Sequence, residues 1–137
     1  MKIQHINPEN LFPSLQFGFS QVVSTEGGRS IHCAGQTAWD KDLNVIGEGD
    51  FAAQAKAAYE NVRLALASAG AEPRDIVHMR TYIVDYTPEY LEPLGIETAA
   101  FFGDHPPPAA TLLGVARLAM PEFMIEIEVT AVIDSIE

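Results

Sequence analysis

The chain has 137 residues and one cysteine, with 19 acidic against 8 basic side chains for a formal charge of −11. That length allows one domain (residues 1–137) around a single two-layer core, while the charge repels nucleic acid and anionic lipid and the lone thiol excludes an intrachain disulfide framework. No run approaches the roughly 18 consecutive apolar residues of a membrane span, and the opening Met1-Lys2-Ile3-Gln4-His5 lacks a signal's apolar core, so the expectation is a cytoplasmic protein without nucleic-acid or membrane partners.

Residues Gln16 to Val23 alternate, with Phe17, Phe19, Gln21 and Val23 on one face, which predicts a strand. Thr25-Glu26-Gly27-Gly28 then predicts a hairpin turn into a second strand over Arg29 to Ala34. Asp40 to Asn44 reads as a further turn, with a small extra strand near Trp39, and Gly47 to Gly49 as a loop. The period then changes. Asp50 can cap a helix whose stripe is Phe51, Ala55, Ala58, Val62, Leu66 and Ala69, closed by Gly70. Ile76 to Asp85, rich in Ile, Val, Thr and Tyr, predicts a strand.

Thr87-Pro88-Glu89 opens a turn, and Pro93 places the next helix from about Pro93 to Phe102, ended by Gly103. Pro106-Pro107-Pro108 forces an extended approach to a strand over Ala109 to Leu118. After a turn around Met120-Pro121-Glu122, Ile125, Ile127, Val129, Ala131 and Ile133 alternate with Glu126 and Glu128, the pattern of a strand with one buried face. The order β-β-α-β-α-β-β predicts an α+β sandwich, a sheet with two helices on one face. Its other face needs cover, which argues for self-association.

The four histidines (His5, His32, His78, His105) are scattered without a metal-ligand spacing, and no Walker loop, dinucleotide fingerprint or nucleophile elbow occurs. His32 and Cys33 are adjacent on a strand, so they point to opposite faces; Cys33 reads as a buried thiol and His78 as a structural histidine. Trp39 lines a pocket or an interface. Glu126 is the first candidate for chemistry, because an acid on a core strand is costly unless paired or used.

Taken in order, Gly18-Phe19-Ser20-Gln21, Ala34-Gly35-Gln36-Thr37, Gln54-Ala55 with Asn61-Val62, Ala69-Gly70, Asp75-Ile76-Val77, Phe101-Phe102-Gly103, Pro108-Ala109-Ala110-Thr111, Val115-Ala116-Arg117-Leu118 and Ile125-Glu126-Ile127-Glu128 resemble the Rid family of reactive intermediate deaminases, also called YjgF-like. The resemblance covers almost the whole length. It implies a chorismate-mutase-like α+β fold, a homotrimer with small-ligand clefts between subunits, and hydrolysis of imines or enamines to a ketone and ammonia with no metal or cofactor. It also implies a glutamate near the attacking water, which falls on Glu126, and an arginine for the substrate carboxylate, where this chain has Ala110. A tyrosine position holds Phe19, a cysteine position Leu112, and an asparagine position Gly95.

The candidate site is therefore Glu126 for proton transfer, with Phe19, Gln36, Ala110, Thr111 and Leu112 as substrate-binding residues. Ala110, Leu112, Gly114 and Ala116 share one strand face, so that wall is small and apolar and lacks a bidentate anion clamp. This argues against the usual 2-iminoacid substrate. Three readings stay open: a hydrolase of another imine or enamine, a non-catalytic ligand-binding trimer, and a catabolic deaminase of the 2-aminomuconate type with an aromatic cleft built from Phe19, Trp39 and Phe101 or Phe102. Arg80 is an unplaced cation.

Overall fold

The computed structural model describes residues 1–135. In chain order it contains β1 (Lys2–Ile6), β2 (Val22–Glu26), β3 (Arg29–Gln36), α1 (Phe51–Ser68), β4 (Ile76–Val84), α2 (Leu91–Phe102), β5 (Ala109–Val115) and β6 (Ile125–Ile133). Four strands form a mixed sheet in the order β3-β6-β4-β5, and β1 pairs with β2 in a separate ladder. β6 runs antiparallel to both β3 and β4, whereas β4 and β5 are parallel. A parallel pair needs a crossover, and α2 supplies it.

The core follows from the two periods meeting. Ala55, Ala58, Val62 and Leu66 of α1 are fully buried against Ile125, Ile127, Val129 and Ala131 of β6, the expected face of that strand. Each large aliphatic side chain buried this way contributes about 1.5–3 kcal/mol. The helix ends as the sequence predicts. The Asp50 carboxylate accepts from the Ala53 N–H at 3.1 Å. Gly70 takes φ +81°, letting Ala71 N–H donate to Leu66 O and Gly70 N–H to Ala67 O.

Two amides of α1 hold the loops. Gln54, with no solvent exposure, donates to Glu122 O at 2.8 Å and accepts from Met124 N–H at 2.8 Å. Asn61 donates to Thr37 O and Trp39 O at 2.8 and 2.9 Å. These two motif residues are thus structural.

Four expectations need correction. Gln16 to Val23 is not a strand: Ser14–Phe17 is a 3-10 turn closed by Gly18 at φ +85°, and strand geometry starts at Val22. The glycine turn exists, with Gly27 and Gly28 at φ +72° and +83°, but β2 pairs with β1 rather than with β3. The reason is an anchor upstream: Ser20 N–H donates to Pro108 O at 2.9 Å and its hydroxyl to Pro107 O at 2.6 Å, tying the chain to the β5 edge. From there β2 must cross the end of the sheet to reach β3 at the opposite edge. β1, whose short run carries no strong alternation, was not expected. Finally, α2 begins at Leu91, because Pro93 sits in the first turn, where its missing N–H has no intrahelical partner anyway. The extra strand near Trp39 is a single bridge to Val45.

Candidate functional site

Register on β4 separates the sheet's two sides. Met79 is opposite Ala110 and Val129, and Thr81 opposite Leu112 and Ile127; both are buried toward the helices. The alternate residues face away from the helices: Arg80 is opposite Thr111 and Glu128, and Tyr82 opposite Leu113 and Glu126. The predicted site residues therefore divide into two groups.

The first group borders a cavity of about 890 Å³ between α2, the β5 edge and the 12–19 segment. Phe19, Ala110, Thr111 and Leu112 all line it, joined by Phe12, Phe17 and Phe102. Ala110 and Leu112 present the small apolar wall read from the sequence, and Gly95 opens the helix side. The polar side chains bordering it belong to Gln16, Tyr59, Thr81, Thr98 and His105, whereas Thr111, opposite Arg80 in register, touches it only along the β5 edge. Tyr59 shares a 2.7 Å hydrogen bond with Thr98, and burial pushes its phenol up to about 12, so it stays a neutral hydroxyl. Of the aromatic residues proposed for the cleft, Phe19 and Phe102 are there. Trp39 instead packs edge-on against Phe123, ring centroids 5.0 Å apart, and Phe101 lies in the core 4.6 Å from the Tyr59 ring.

The second group lies on the open face. Glu126 sits directly over Gly35: a methyl built on Gly35 would fall 2.5 Å from Oε2 and 2.6 Å from Cδ of Glu126. The glycine is thus what lets the carboxylate lie flat on β3. Burial, and secondarily the negative charge of Glu128, raise the Glu126 carboxyl above its ordinary value. Glu128 moves the other way, held down chiefly by the hydroxyl of Tyr82, which donates to Oε1, and then by Arg80, whose Nη1 is 3.4 Å from the same oxygen. Gln36 does not join this group: its register partner is Ile127 on the helix side, and its amide donates to Ala34 O at 3.2 Å. Arg80, the unplaced cation, belongs to the open face and not to the cavity around Ala110.

His32 and Cys33 point to opposite sides as expected, His32 opposite Thr130 and Cys33 opposite Val129 and packed on the core. Burial pushes the Cys33 thiol up, away from the reactive thiolate. Among the described residues, no cluster of three or more His, Cys, Asp or Glu is placed to hold a metal, and no helix is long and apolar enough to cross a membrane. The sequence reading missed Gly35 as the seat of Glu126 and the Tyr82–Arg80–Glu128 cluster. A glycine inside a strand is the signal for the first, since it marks close approach. The second depends on the β4–β6 register, which the sequence does not carry.

Comparison with known proteins gives a consistent picture. A family model described as endoribonuclease L-PSP matches residues 13–133. The structure is similar to YyfB of Yersinia pestis, a protein of unknown function of the conserved Rid family, at 41% identity and TM-score 0.92, covering 97% of this chain and 100% of that one. It is also similar to a YjgF/YER057c/UK114 family member from Mycobacterium tuberculosis, at 26% identity and TM-score 0.63 over 96% and 100% of the two chains. RidA from an Antarctic Psychrobacter matches at 25% identity and TM-score 0.68 over 83% and 87%.

Proposed function

This chain belongs to the Rid family, and on that premise we propose that it is a cofactor-independent hydrolase of an imine or enamine that carries no carboxylate at the usual position, working in a cleft shared between subunits of a homotrimer. The observation that carries the reading is the seating of Glu126 over Gly35, with its carboxyl raised by burial. A carboxyl raised in this way keeps its proton to higher pH than an ordinary glutamate, which suits it to proton transfer.

The steps balance without a metal or an oxidant. Glu126 gives its proton to the enamine carbon, the C=C pair forming the new C–H bond and leaving an iminium. Glu126, now a carboxylate, takes a proton from water as the water oxygen bonds to the iminium carbon. The carbinolamine then collapses to the ketone, its hydroxyl proton passing through Glu126 to the departing nitrogen, which leaves as ammonia. An imine substrate joins at the second step after taking the Glu126 proton on its nitrogen to become the iminium.

The division of the site supports a shared cleft. Ala110 and Leu112 border a cavity on the helix side of the β5 edge, whereas Glu126 lies on the open face of β6, two strands away. One chain does not bring both groups to one substrate, and a neighbouring copy would. The apolar wall at Ala110 and Leu112 favours a neutral substrate, because a desolvated carboxylate without a cation costs several kcal/mol. A ribonuclease reading, suggested by the description of the family model, is disfavoured by the charge of −11.

The test is turnover of imines generated in situ by oxidation of an arylalkylamine, trapped with semicarbazide and followed as loss of semicarbazone. Wild-type protein should lower the semicarbazone yield and Glu126→Gln should not. Equal yields with and without wild-type protein would leave a non-catalytic ligand-binding trimer as the better reading.

A further inference from the structure

On the open face, the residues around Glu126 form a connected set. Tyr82 is its register partner on β4, Glu128 follows it by two on the same strand, and Arg80 is the register partner of Glu128. Tyr82 thus stands opposite one glutamate while donating its hydroxyl to the other, and Arg80 approaches the same Glu128 oxygen at 3.4 Å. Gly35 backs Glu126 from β3, and one rung further His32 and His78 flank Thr130. Glu128, His32, His78, Arg80 and Thr130 border a small polar recess of about 190 Å³.

We infer that Tyr82 and Arg80 are positioning residues for the Glu126 chemistry and act through Glu128, which they hold as a fixed anion beside Glu126 so that the proton of the pair resides on Glu126. Two carboxylates on one strand face compete for a single proton, and the better-solvated of two inequivalent partners ionises first. A hydroxyl and a guanidinium directed at Glu128 settle which one that is. The raised Glu126 and lowered Glu128 agree with the geometry. Tyr82 is itself raised by its bond to Glu128, so it stays a donor across the neutral range. Without this arrangement the Glu128 anion would no longer add to burial in keeping the proton on Glu126, and less of the acid would be available to protonate an enamine carbon. The inference rests on the reading of Glu126 as the acid.

The readout is a carbon-detected NMR titration of the glutamate side-chain carboxyls in the full-length protein, with Glu126 assigned by loss of its signal in Glu126→Gln. Wild-type protein should show Glu126 titrating above Glu128. Glu128→Gln should move the Glu126 midpoint to lower pH, and Tyr82→Phe should move the Glu128 midpoint up. The acid-requiring limb of the pH–rate profile should follow the Glu126 midpoint in Glu128→Gln. A Glu126 midpoint that stays put in Glu128→Gln, or Glu128 titrating above Glu126 in wild type, would overturn the inference. Should Glu128→Gln fail to fold, the conservative Tyr82→Phe decides alone: an unmoved Glu128 midpoint sinks the idea. The titration needs no substrate, so it stands apart from the turnover assay of Glu126→Gln.

Discussion

Gly35→Ala isolates the position of one carboxylate from everything else in the fold. Gly35 is not among the glycines with positive φ, so alanine fits its backbone conformation. Its new methyl would lie 2.5 Å from Oε2, 2.6 Å from Cδ and 2.8 Å from Cγ of Glu126. Ordinary carbon contacts lie at about 3.5–4.0 Å, so the carboxylate must retreat by roughly 1 Å. Glu126 can do this by rotating, at an off-rotamer cost of about 0.5–1.5 kcal/mol. The loss of backbone freedom in the unfolded chain offsets about 0.4–1 kcal/mol of that. Net stability should therefore change by under about 1 kcal/mol, whereas a displacement of this size at a catalytic group lowers turnover on the order of 100-fold. Urea denaturation and initial rates of imine loss measure the two effects on one preparation. Unchanged turnover would refute the claim that Gly35 seats a working acid, and a collapse of the folded state would show that the glycine serves packing.

Further outcomes follow from other parts of the molecule. Gln54→Ala strands the Glu122 carbonyl and the Met124 N–H, at about 1–3 kcal/mol per buried group, so the urea midpoint should fall by the equivalent of roughly 2–6 kcal/mol. Glu126 has a raised carboxyl, so between the ordinary value of 4.5 and its folded value the native state binds more protons than the unfolded chain, and stability falls as pH rises through that window. Glu126→Gln removes this loss: its Tm should exceed wild type at pH 7 and match it below pH 4, with a lower Tm at pH 7 marking Glu126 as a structural acid. Wild-type protein should consume 2-iminopropionate slowly, since a missing bidentate cation in a dry cleft costs roughly 3–5 kcal/mol, or two to four decades in efficiency. Ala110→Arg should recover part of it, with Phe19 and Leu112 limiting the gain; fast consumption by wild type would show that another cation serves.

The sequence made α1 and the buried face of β6 legible for a simple reason: both carry strong single-period patterns, and the helix caps and the faces came out as read. Phe19, Ala110 and Leu112 do share one cavity wall, with Thr111 at its β5 edge. The misreadings arise where tertiary contacts override local pattern. Phe17 and Phe19 alternate like a strand, yet Ser20 is captured by the Pro107 and Pro108 carbonyls and Gly18 breaks the run. Gln36, placed by its motif, turned out to satisfy its own strand. Arg80 found its place only through register, because nothing local says that it lies opposite Glu128.

In the proposed trimer, one cleft uses Glu126 from one chain and the Ala110–Leu112 wall from another. Co-expression of Glu126→Gln with Leu112→Trp, which fills the cavity, tests it. Light scattering should first give particles of three times the 14.9 kDa chain mass for each variant alone and for the mixture. Each variant alone should be inactive toward the neutral imine. In random mixed trimers about one cleft in four joins an intact Glu126 to an intact wall, so activity should return to roughly a quarter of wild type. A mixture as inactive as its parents would contradict the shared cleft.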